Sequence, residues 1–228
     1  MKAFNYSNRA YIQPLFYFLW KLLYNKNGDI MEIKLAYEDS YFDEKSRILG
    51  HCFTITENNR TFHYEFIPLK QVAKIQSDTT AYLEEVVQFF YKTHPTITTY
   101  YGNDFYMEME KSFSFKLPIS ILQVSKFFLD EAYLSNLRKY ATVENILIPV
   151  QIIEDEYVVL DNHHLLCIAK ELGIKLVDVY LDKLNPYTLD FLYLAKEQNI
   201  KTVSDMKCLK HEEYTKITTD LMTLFKNI

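Results

Sequence analysis

The sequence predicts an α+β protein, and three patterns carry that prediction. Polar and apolar residues alternate over 61–66, as in a half-buried β-strand. Apolar residues recur on one face over 83–90, as in an amphipathic helix. From residue 112 onward, strand and helix patterns alternate closely, and two helical patterns end the chain. We therefore expect a small mixed-sheet N-terminal unit followed by a second α+β domain with two C-terminal helices.

The composition is typical of a soluble globular protein and excludes two common phosphate-binding loops. Of the 228 residues, 49% are hydrophobic, with 19 Tyr and 16 Phe to fill a core. The 4 glycines lie far apart in the sequence. A dinucleotide fingerprint and a Walker A loop each need several glycines within a few residues, so both are excluded. An anion site in this chain must be built in another way.

Charge and cysteine content bear on partners and location. The formal net charge is −5 and like charges form no block. DNA is a possible partner, but the charge pattern does not support it, because nonspecific DNA binding usually needs a basic stripe. The 3 cysteines are odd in number and widely spaced, which argues against a disulfide framework and for a cytoplasmic protein. No compact four-ligand motif is present, so we expect no metal site.

Residues 1–30 are predicted to form an aromatic N-terminal arm. Its leucines at 15, 19, 22 and 23 have helical spacing, which fits a short docking helix or an interfacial one. Pro14 and Lys21 interrupt the apolar segment 11–24, and a spanning helix needs about 20 apolar residues, so we expect no membrane partner. A third hypothesis is that Met31 is the natural start of the protein.

Residues 31–111 are predicted to form a small α+β unit whose role the sequence leaves open. Strands are expected at 32–37, 51–56, 61–67 and 97–109. A helix precedes the last strand, with Asp78 as its N-cap and Pro95 at its end. His51, Cys52 and His63 are interpreted as ordinary packing or edge residues.

Residues 112–184 form the second predicted domain, and 185–228 form a helical extension. Strands are expected at 113–121, 147–153, 157–161 and 174–181, with helices at 130–141 and 163–172. The pair Asn185-Pro186 marks the start of a further helix, because proline is favoured at the first helical position. The apolar face of the last helix is made of Tyr214, Ile217, Leu221, Leu224 and Phe225.

The segment most suggestive of chemistry is a strand, a turn and a helix start. The strand over 157–161 leads directly into Asp161-Asn162, and a helix follows. The first backbone N–H groups of a helix have no partner within it and carry partial positive charge, so this turn can hold an anion without a glycine loop. Gly173 stands where a left-handed residue is expected to end the helix.

These residues resemble the ParB/sulfiredoxin superfamily, and the resemblance covers roughly residues 112–228. The family signature is an Ile-Pro-Val strand, a hairpin, and an Asp-Gly-His-His turn that opens a helix. Here it corresponds to Ile148-Pro149-Val150 and Asp161-Asn162-His163-His164, and Leu117-Pro118-Ile119 is similar to the first strand of the family. The segments 199–206 and 211–214 are similar to the extension of stand-alone bacterial ParB-like proteins.

The resemblance implies a ligand and a set of site residues. Members of the superfamily bind nucleotides at the signature turn, and they include partition CTPases, sulfiredoxins that use ATP and serine kinases that use ADP. The implied ligand is therefore a nucleotide (ATP, ADP or CTP, with Mg²⁺) or another phosphorylated small molecule. Asp161, Asn162, His163 and His164 would bind it. Catalysis, as a phosphotransferase or nucleotide hydrolase, would use His163, His164 and Glu131, the last standing where the serine kinases have an acidic residue.

Two departures from the family pattern keep a second function open. The family glycine is Asn162, and Asn tolerates a left-handed backbone better than other side chains do. The family arginine is Leu165, so an apolar side chain replaces a fork of donors suited to phosphate. The alternative function is that of a non-catalytic DNA-associated or protein-interaction module of ParB-like fold. Its partner would be a second copy of the chain, in a homodimer, or another protein.

Overall fold

The structure is a computed structural model that describes residues 21–24, 30–102, 104–184 and 188–226. Within these ranges it has six α-helices, two large β-sheets and one short strand pair, which confirms the predicted α+β class. No helix in the same ranges has the length and apolar character needed to cross a membrane.

The first sheet has seven strands, which lie side by side in chain order. They are β1 (Lys21–Tyr24), β2 (Ile30–Leu35), β3 (Cys52–Glu57), β4 (Arg60–Leu69), β5 (Val72–Ser77), β6 (Thr99–Gly102) and β7 (Phe105–Glu108). Two helices belong to this unit, α1 (Glu44–Ile48) and α2 (Leu83–Thr93). Neighbouring strands are antiparallel except β5 and β6, whose parallel pairing needs the crossover that α2 supplies.

The core of this unit lies between α2 and one face of the sheet. Phe53, Phe66 and Ile75 point inward from the strands and meet Val86 and Phe90 of α2, and each of these side chains is at most 1% exposed. Fully burying a side chain of this size contributes roughly 1.5–3 kcal/mol. The one-sided burial explains the alternation that the sequence shows in β4.

Two predicted boundaries in this unit are wrong. Asp78 does not cap α2, because its carboxyl group accepts hydrogen bonds from the backbone N–H and ring Nδ1 of His63, at 3.1 and 2.9 Å. The helix begins five residues later, at Leu83. The single strand expected over 97–109 is a hairpin of β6 and β7, and Gly102, the last residue of β6, has φ of +143°.

The N-terminal arm contributes a strand where a helix was expected. β1 includes Leu22 and Leu23 and pairs antiparallel with β2. The helix prediction is therefore wrong over Lys21–Tyr24, since an extended strand has no helical repeat. The remaining members of the predicted stripe, at 15 and 19, lie outside the described residues.

The second sheet has the strand order β8-β13-β11-β12-β9, and a separate parallel pair joins β10 to β14. These strands are β8 (Ser114–Pro118), β9 (Leu122–Val124), β10 (Phe128–Asp130), β11 (Leu147–Ile153), β12 (Glu156–Val159), β13 (Leu176–Leu181) and β14 (Lys207–Leu209). The helices are α3 (Glu131–Tyr140), α4 (His163–Glu171), α5 (Thr188–Glu197) and α6 (His211–Lys226).

Most of the second domain follows the prediction. The strand expected at 147–153 is β11. Both α3 and α4 start and end within one residue of the predicted limits. The strand expected over 113–121 stops at Pro118, and a 3-10 turn follows it. The two C-terminal helices are present, although the predicted start at Asn185-Pro186 lies outside the described residues. Tyr214 of α6 is 2% exposed, as its predicted apolar face requires.

Helix α4 is fixed on both sides, and this placement positions the candidate site. Leu166 and Ala169 of α4 enter the main core of the second domain. On the other side, Ile168 packs against Leu134 and Leu137 of α3. Because α4 starts directly after β12, this packing fixes the turn between them relative to the sheet.

The two units meet where α1 lies against α3. Lys139 and the hydroxyl of Tyr140 both contact the Glu44 carboxyl group, at 3.2 and 3.1 Å. The hydroxyl of Tyr133 lies 3.5 Å from the carbonyl oxygen of Ile48. Exposed ion pairs of this kind contribute at most about 1 kcal/mol, so they orient the units more than they stabilise them.

Gly102→Ala is expected to destabilise the protein by more than about 3 kcal/mol. Its φ of +143° disfavours any side chain, and an added Cβ would collide with the carbonyl oxygen of Ile75. Gly173→Ala is the matched control, because its φ of +72° is also left-handed but nothing lies within 4 Å of the added Cβ. That change should cost only about 1–2 kcal/mol. Urea denaturation measures both losses, and equal losses would contradict this account.

Candidate functional site

The turn between β12 and α4 takes the form that the sequence predicts. Asn162 is left-handed, with φ of 60° and ψ of 28°, and it is the N-cap residue of α4. Its side chain does not cap the helix but donates from Nδ2 to the carbonyl oxygen of Leu147 at 2.9 Å. At the other end, Gly173 has φ of +72°, and Ile174 N–H donates to the carbonyl oxygen of Ala169 at 3.0 Å. Both left-handed positions are therefore confirmed.

The start of α4 leaves backbone donors available. The first amide that bonds within the helix is that of Leu166, which donates to the carbonyl oxygen of Asn162 at 3.0 Å. The amides of His163, His164 and Leu165 come before it and have no acceptor within the part of the chain that the structure describes. Three unpartnered donors at the positive end of a helix are the arrangement that binds anions.

The two signature histidines are buried and bind the protein's own backbone. His163 is 1% exposed, and its Nε2 accepts from the N–H of Ser125 at 3.2 Å. His164 is 8% exposed, and its Nε2 accepts from the N–H of Asp130 at 2.8 Å. Because each Nε2 is an acceptor, each neutral ring carries its proton on Nδ1. That Nδ1 of His163 has no partner among the described residues.

Burial keeps both imidazoles uncharged. Desolvation, followed by the positive charge of Lys126, lowers the pKa of His164 to about 3 and that of His163 well below its ordinary value. A group that is neutral at pH 7 and already hydrogen-bonded through Nε2 is not available as a charged phosphate ligand. The structure therefore gives these side chains a positioning function, and their catalytic role stays a prediction.

Asp130 links three helices and contacts one of the two signature histidines, His164. Its Oδ1 caps α3 by accepting from the N–H groups of Ala132 and Tyr133, at 2.9 and 3.3 Å. Its Oδ2 accepts from Nδ1 of His211, the first residue of α6, at 2.6 Å. Its own N–H donates to His164 in α4. The side chain is only 1% exposed, so these contacts are also what allows the carboxyl group to be buried.

Asp161 precedes the turn and is paired with a lysine. Its Oδ1 lies 2.8 Å from Nζ of Lys126, and 47% of its side chain is exposed. Burial acts to raise the pKa of Asp161, but the charge and hydrogen bond of Lys126 outweigh burial and hold this pKa below its usual value. The ionised carboxylate is thus compensated, which reduces the repulsion that it would exert on an anion at the turn.

A cavity of about 230 Å³ opens between the two units at this turn. Asp161, Asn162 and Leu165 line it from the second domain. Residues from the N-terminal unit form the facing wall, among them Tyr37, Gly50, His51, Lys70, Lys92 and His94. Ligand pockets commonly measure about 300–1,000 Å³, so this one is suited to a small ligand or to part of a larger one.

The cavity has charges of both signs at its rim and a protonated tyrosine inside. Lys70 and Lys92 are exposed at the rim, as are Glu144 and Asp182, so the side-chain charges there nearly cancel. Inside, burial and then neighbouring charges raise the pKa of Tyr133, which keeps its hydroxyl protonated. Asp161 also lines the cavity, and its negative charge is offset by its ion pair with Lys126.

Glu131 lies elsewhere. It is exposed in the first turn of α3, on the side that faces Cys208, and it does not line the cavity. The structure therefore brings Asp161 and Asn162 to one cavity, whereas His163, His164 and Glu131 do not line it. A catalytic role for Glu131 stays a prediction. Among the described residues, no group of three or more His, Cys, Asp or Glu side chains could hold a metal ion.

The facing wall is the part of the site that sequence reasoning missed. The sequence predicts His51 to be an ordinary packing or edge residue and assigns no role to Lys70, Lys92 or His94. The sequence carries only a faint signal for them, since His94 directly precedes Pro95 at the end of α2. Their approach to Asn162 depends on how the two units pack, which no local pattern encodes.

The variant His164→Gln should flatten the loss of stability in acid. In the unfolded chain His164 is protonated below its ordinary pKa of 6.5, whereas in the folded protein its pKa is about 3. The contribution of His164 to the free energy of unfolding is therefore fully present above pH 6.5 and is lost as the pH decreases. At pH 5 this loss is about 2 kcal/mol. Urea denaturation of both proteins at pH 7, 6 and 5 measures the difference. Parallel pH profiles would show that His164 is not buried as a neutral ring.

Comparisons with known proteins give fold-level likenesses only. No protein-family profile and no curated protein matches this chain. Protein Atu1540 from Agrobacterium tumefaciens is similar at 17% identity over 42% of this chain and 62% of its own, with a TM-score of 0.31. The C-terminally truncated chromosome-partitioning protein ParB from Caulobacter crescentus, complexed with CTP-gamma-S, is similar at 22% identity over 39% of this chain and 53% of its own, with a TM-score of 0.25. The matches span less than two thirds of either protein, and likenesses this weak carry no argument about function.

Proposed function

We propose that the protein binds a nucleotide or another phosphorylated small molecule in the cavity between its two units. The phosphate group contacts the backbone amides of His163 and His164 at the start of α4. One observation supports the proposal: Asn162 and Leu165, which flank the amides of His163 and His164 in the uncapped first turn of α4, both line the cavity. A helix N-terminus that meets a cavity in this way is a ready site for phosphate oxygens.

The proposal is one of binding rather than of phosphoryl transfer. Leu165 lines the cavity with an apolar side chain, where a guanidinium would stabilise the charge of a transition state. The Nε2 atoms of His163 and His164 already accept hydrogen bonds from backbone N–H groups. If a nucleotide enters as its Mg²⁺ complex, the carboxylates of Asp182 and Glu144 offer oxygen ligands at the rim, which suits that ion.

A thermal-shift panel of ATP, ADP, CTP, GTP and pyrophosphate, with and without Mg²⁺, tests the proposal. A ligand at 100 times its Kd stabilises a protein by about 2.7 kcal/mol. For a chain of this size, that corresponds to a rise in Tm of about 5–10 °C. The absence of a shift with every compound would refute the proposal. If DNA alone shifted the protein at low salt, the alternative of a DNA-associated module would replace it.

Reversing the rim charges should weaken binding. Lys92→Glu, combined with Lys70→Glu, makes the cavity mouth acidic and should raise the Kd of the best ligand by at least about tenfold at low salt, an effect that added salt would reduce. Lys74→Glu is the matched control, because Lys74 is exposed in β5 of the same unit but does not line the cavity. Equal effects from the cavity and control variants would place the ligand elsewhere.

A further inference from the structure

Two imidazole rings that the proposed phosphate site does not use face the cavity. His51 and His94 line it from the N-terminal unit, opposite the α4 turn. Their ring centroids lie 5.3 Å apart with planes inclined at 67°. Leu35, Ile97 and Thr96 line the same wall, so the two rings stand among apolar surface and one hydroxyl.

His94 is the outermost ring of a rigid aromatic stack. Phe66 and Phe90 stack at 4.1 Å with planes 2° apart, and Phe90 and His94 stack at 4.1 Å with planes 9° apart. Phe66 and Phe90 are fully buried in the core. The hydroxyl of Thr93 lies 2.9 Å from Nδ1 of His94 and fixes the rotation of this ring. The stack therefore holds a planar heterocycle in a set orientation at the cavity wall.

The two rings have the properties of neutral recognition groups. Burial, and for His51 also the nearby His94 and Lys45, lowers the pKa of His51 to about 3, and burial lowers that of His94 to about 4. A neutral imidazole offers one N–H donor, one nitrogen acceptor and a π-face. Within the described ranges, the ring of His51 has no hydrogen-bond partner, so its donor and acceptor remain available to a ligand.

We infer that this wall, formed around His51 and His94, binds the planar heteroaromatic base of a nucleotide whose phosphate lies at the start of α4. The inference rests on the proposed function and narrows its ligand from any phosphorylated small molecule to a nucleotide. Aromatic wall residues recognise bases by stacking and by hydrogen bonds to the base edge. A phosphorylated sugar without a base would leave the ring of His51 unpartnered and the apolar wall in contact with water.

The size of the expected effect follows from base stacking. Stacking of one base on an aromatic side chain changes affinity by about fivefold to 150-fold. We therefore expect ADP or CTP to bind at least about tenfold more tightly than ribose 5-phosphate. Adenosine, which has no phosphate, should compete with ADP for the site.

Isothermal titration with ADP, CTP, ribose 5-phosphate, adenosine and inorganic pyrophosphate tests the inference on the unaltered protein. Tighter binding of the nucleotides than of ribose 5-phosphate, together with competition by adenosine, supports it. If ribose 5-phosphate binds as tightly as ADP and adenosine does not compete, the base site is refuted and the phosphate site stands. If none of the five compounds binds, both the phosphate site and the base site are refuted.

Variants of His94 locate the base site. His94→Ala should raise the Kd for ADP by about tenfold and leave that for ribose 5-phosphate unchanged. His94→Phe keeps a ring on the stack and should recover most of the affinity for ADP. A purely structural role in the cavity wall would not predict the selective loss of affinity for ADP in His94→Ala. Equal losses for ADP and ribose 5-phosphate in His94→Ala would contradict the assignment. The measurements on the unaltered protein decide the question if His94→Ala does not fold.

Discussion

The rest of the second domain depends on the buried carboxyl group of Asp130. It caps α3, holds the first residue of α6 through His211, and its amide donates to His164 at the start of α4. Three helices are thereby linked to one residue, two through its carboxyl group, which is 1% exposed, and one through its backbone N–H. Breaking such a buried network leaves polar groups without partners, which typically costs several kcal/mol. The α4 turn therefore owes its position to a polar contact as much as to apolar packing.

This arrangement changes what the paired histidines do. Imidazoles at a helix start suggest ligand contact, but here the rings point into the protein and hold the chain around Ser125 and Asp130. Once they are occupied in this way, the groups that remain for an anion are the backbone amides of the same residues. Lys126 compensates the one carboxylate at the turn, Asp161. The proposed site thus combines main-chain dipoles with a facing wall that includes the neutral rings of His51 and His94.

The sequence predicted those elements whose signals are local. Alternation and helical spacing located β4, β11, α3 and α4, and residue chemistry predicted the left-handed backbone at Asn162 and Gly173. The prediction from sequence failed where a residue far away in the chain determines the local structure. Asp78 has the chemistry of an N-cap but binds His63, and Leu22 and Leu23 have helical spacing but lie in a strand that pairs with β2. The burial of His163 and the approach of His94 to the turn likewise depend on residues far away in the chain, which a single sequence does not reveal.

The central claim is that the amides of the α4 turn bind phosphate. The most direct measurement is an NMR titration of the isotopically labelled full chain with inorganic pyrophosphate, followed through backbone amide resonances. The account predicts that the amide signals of His163 and His164 shift most, in a saturable way, because hydrogen bonds to an anion act first on the donor N–H. A saturable response centred on other residues, with the signals of His163 and His164 unmoved, would contradict it.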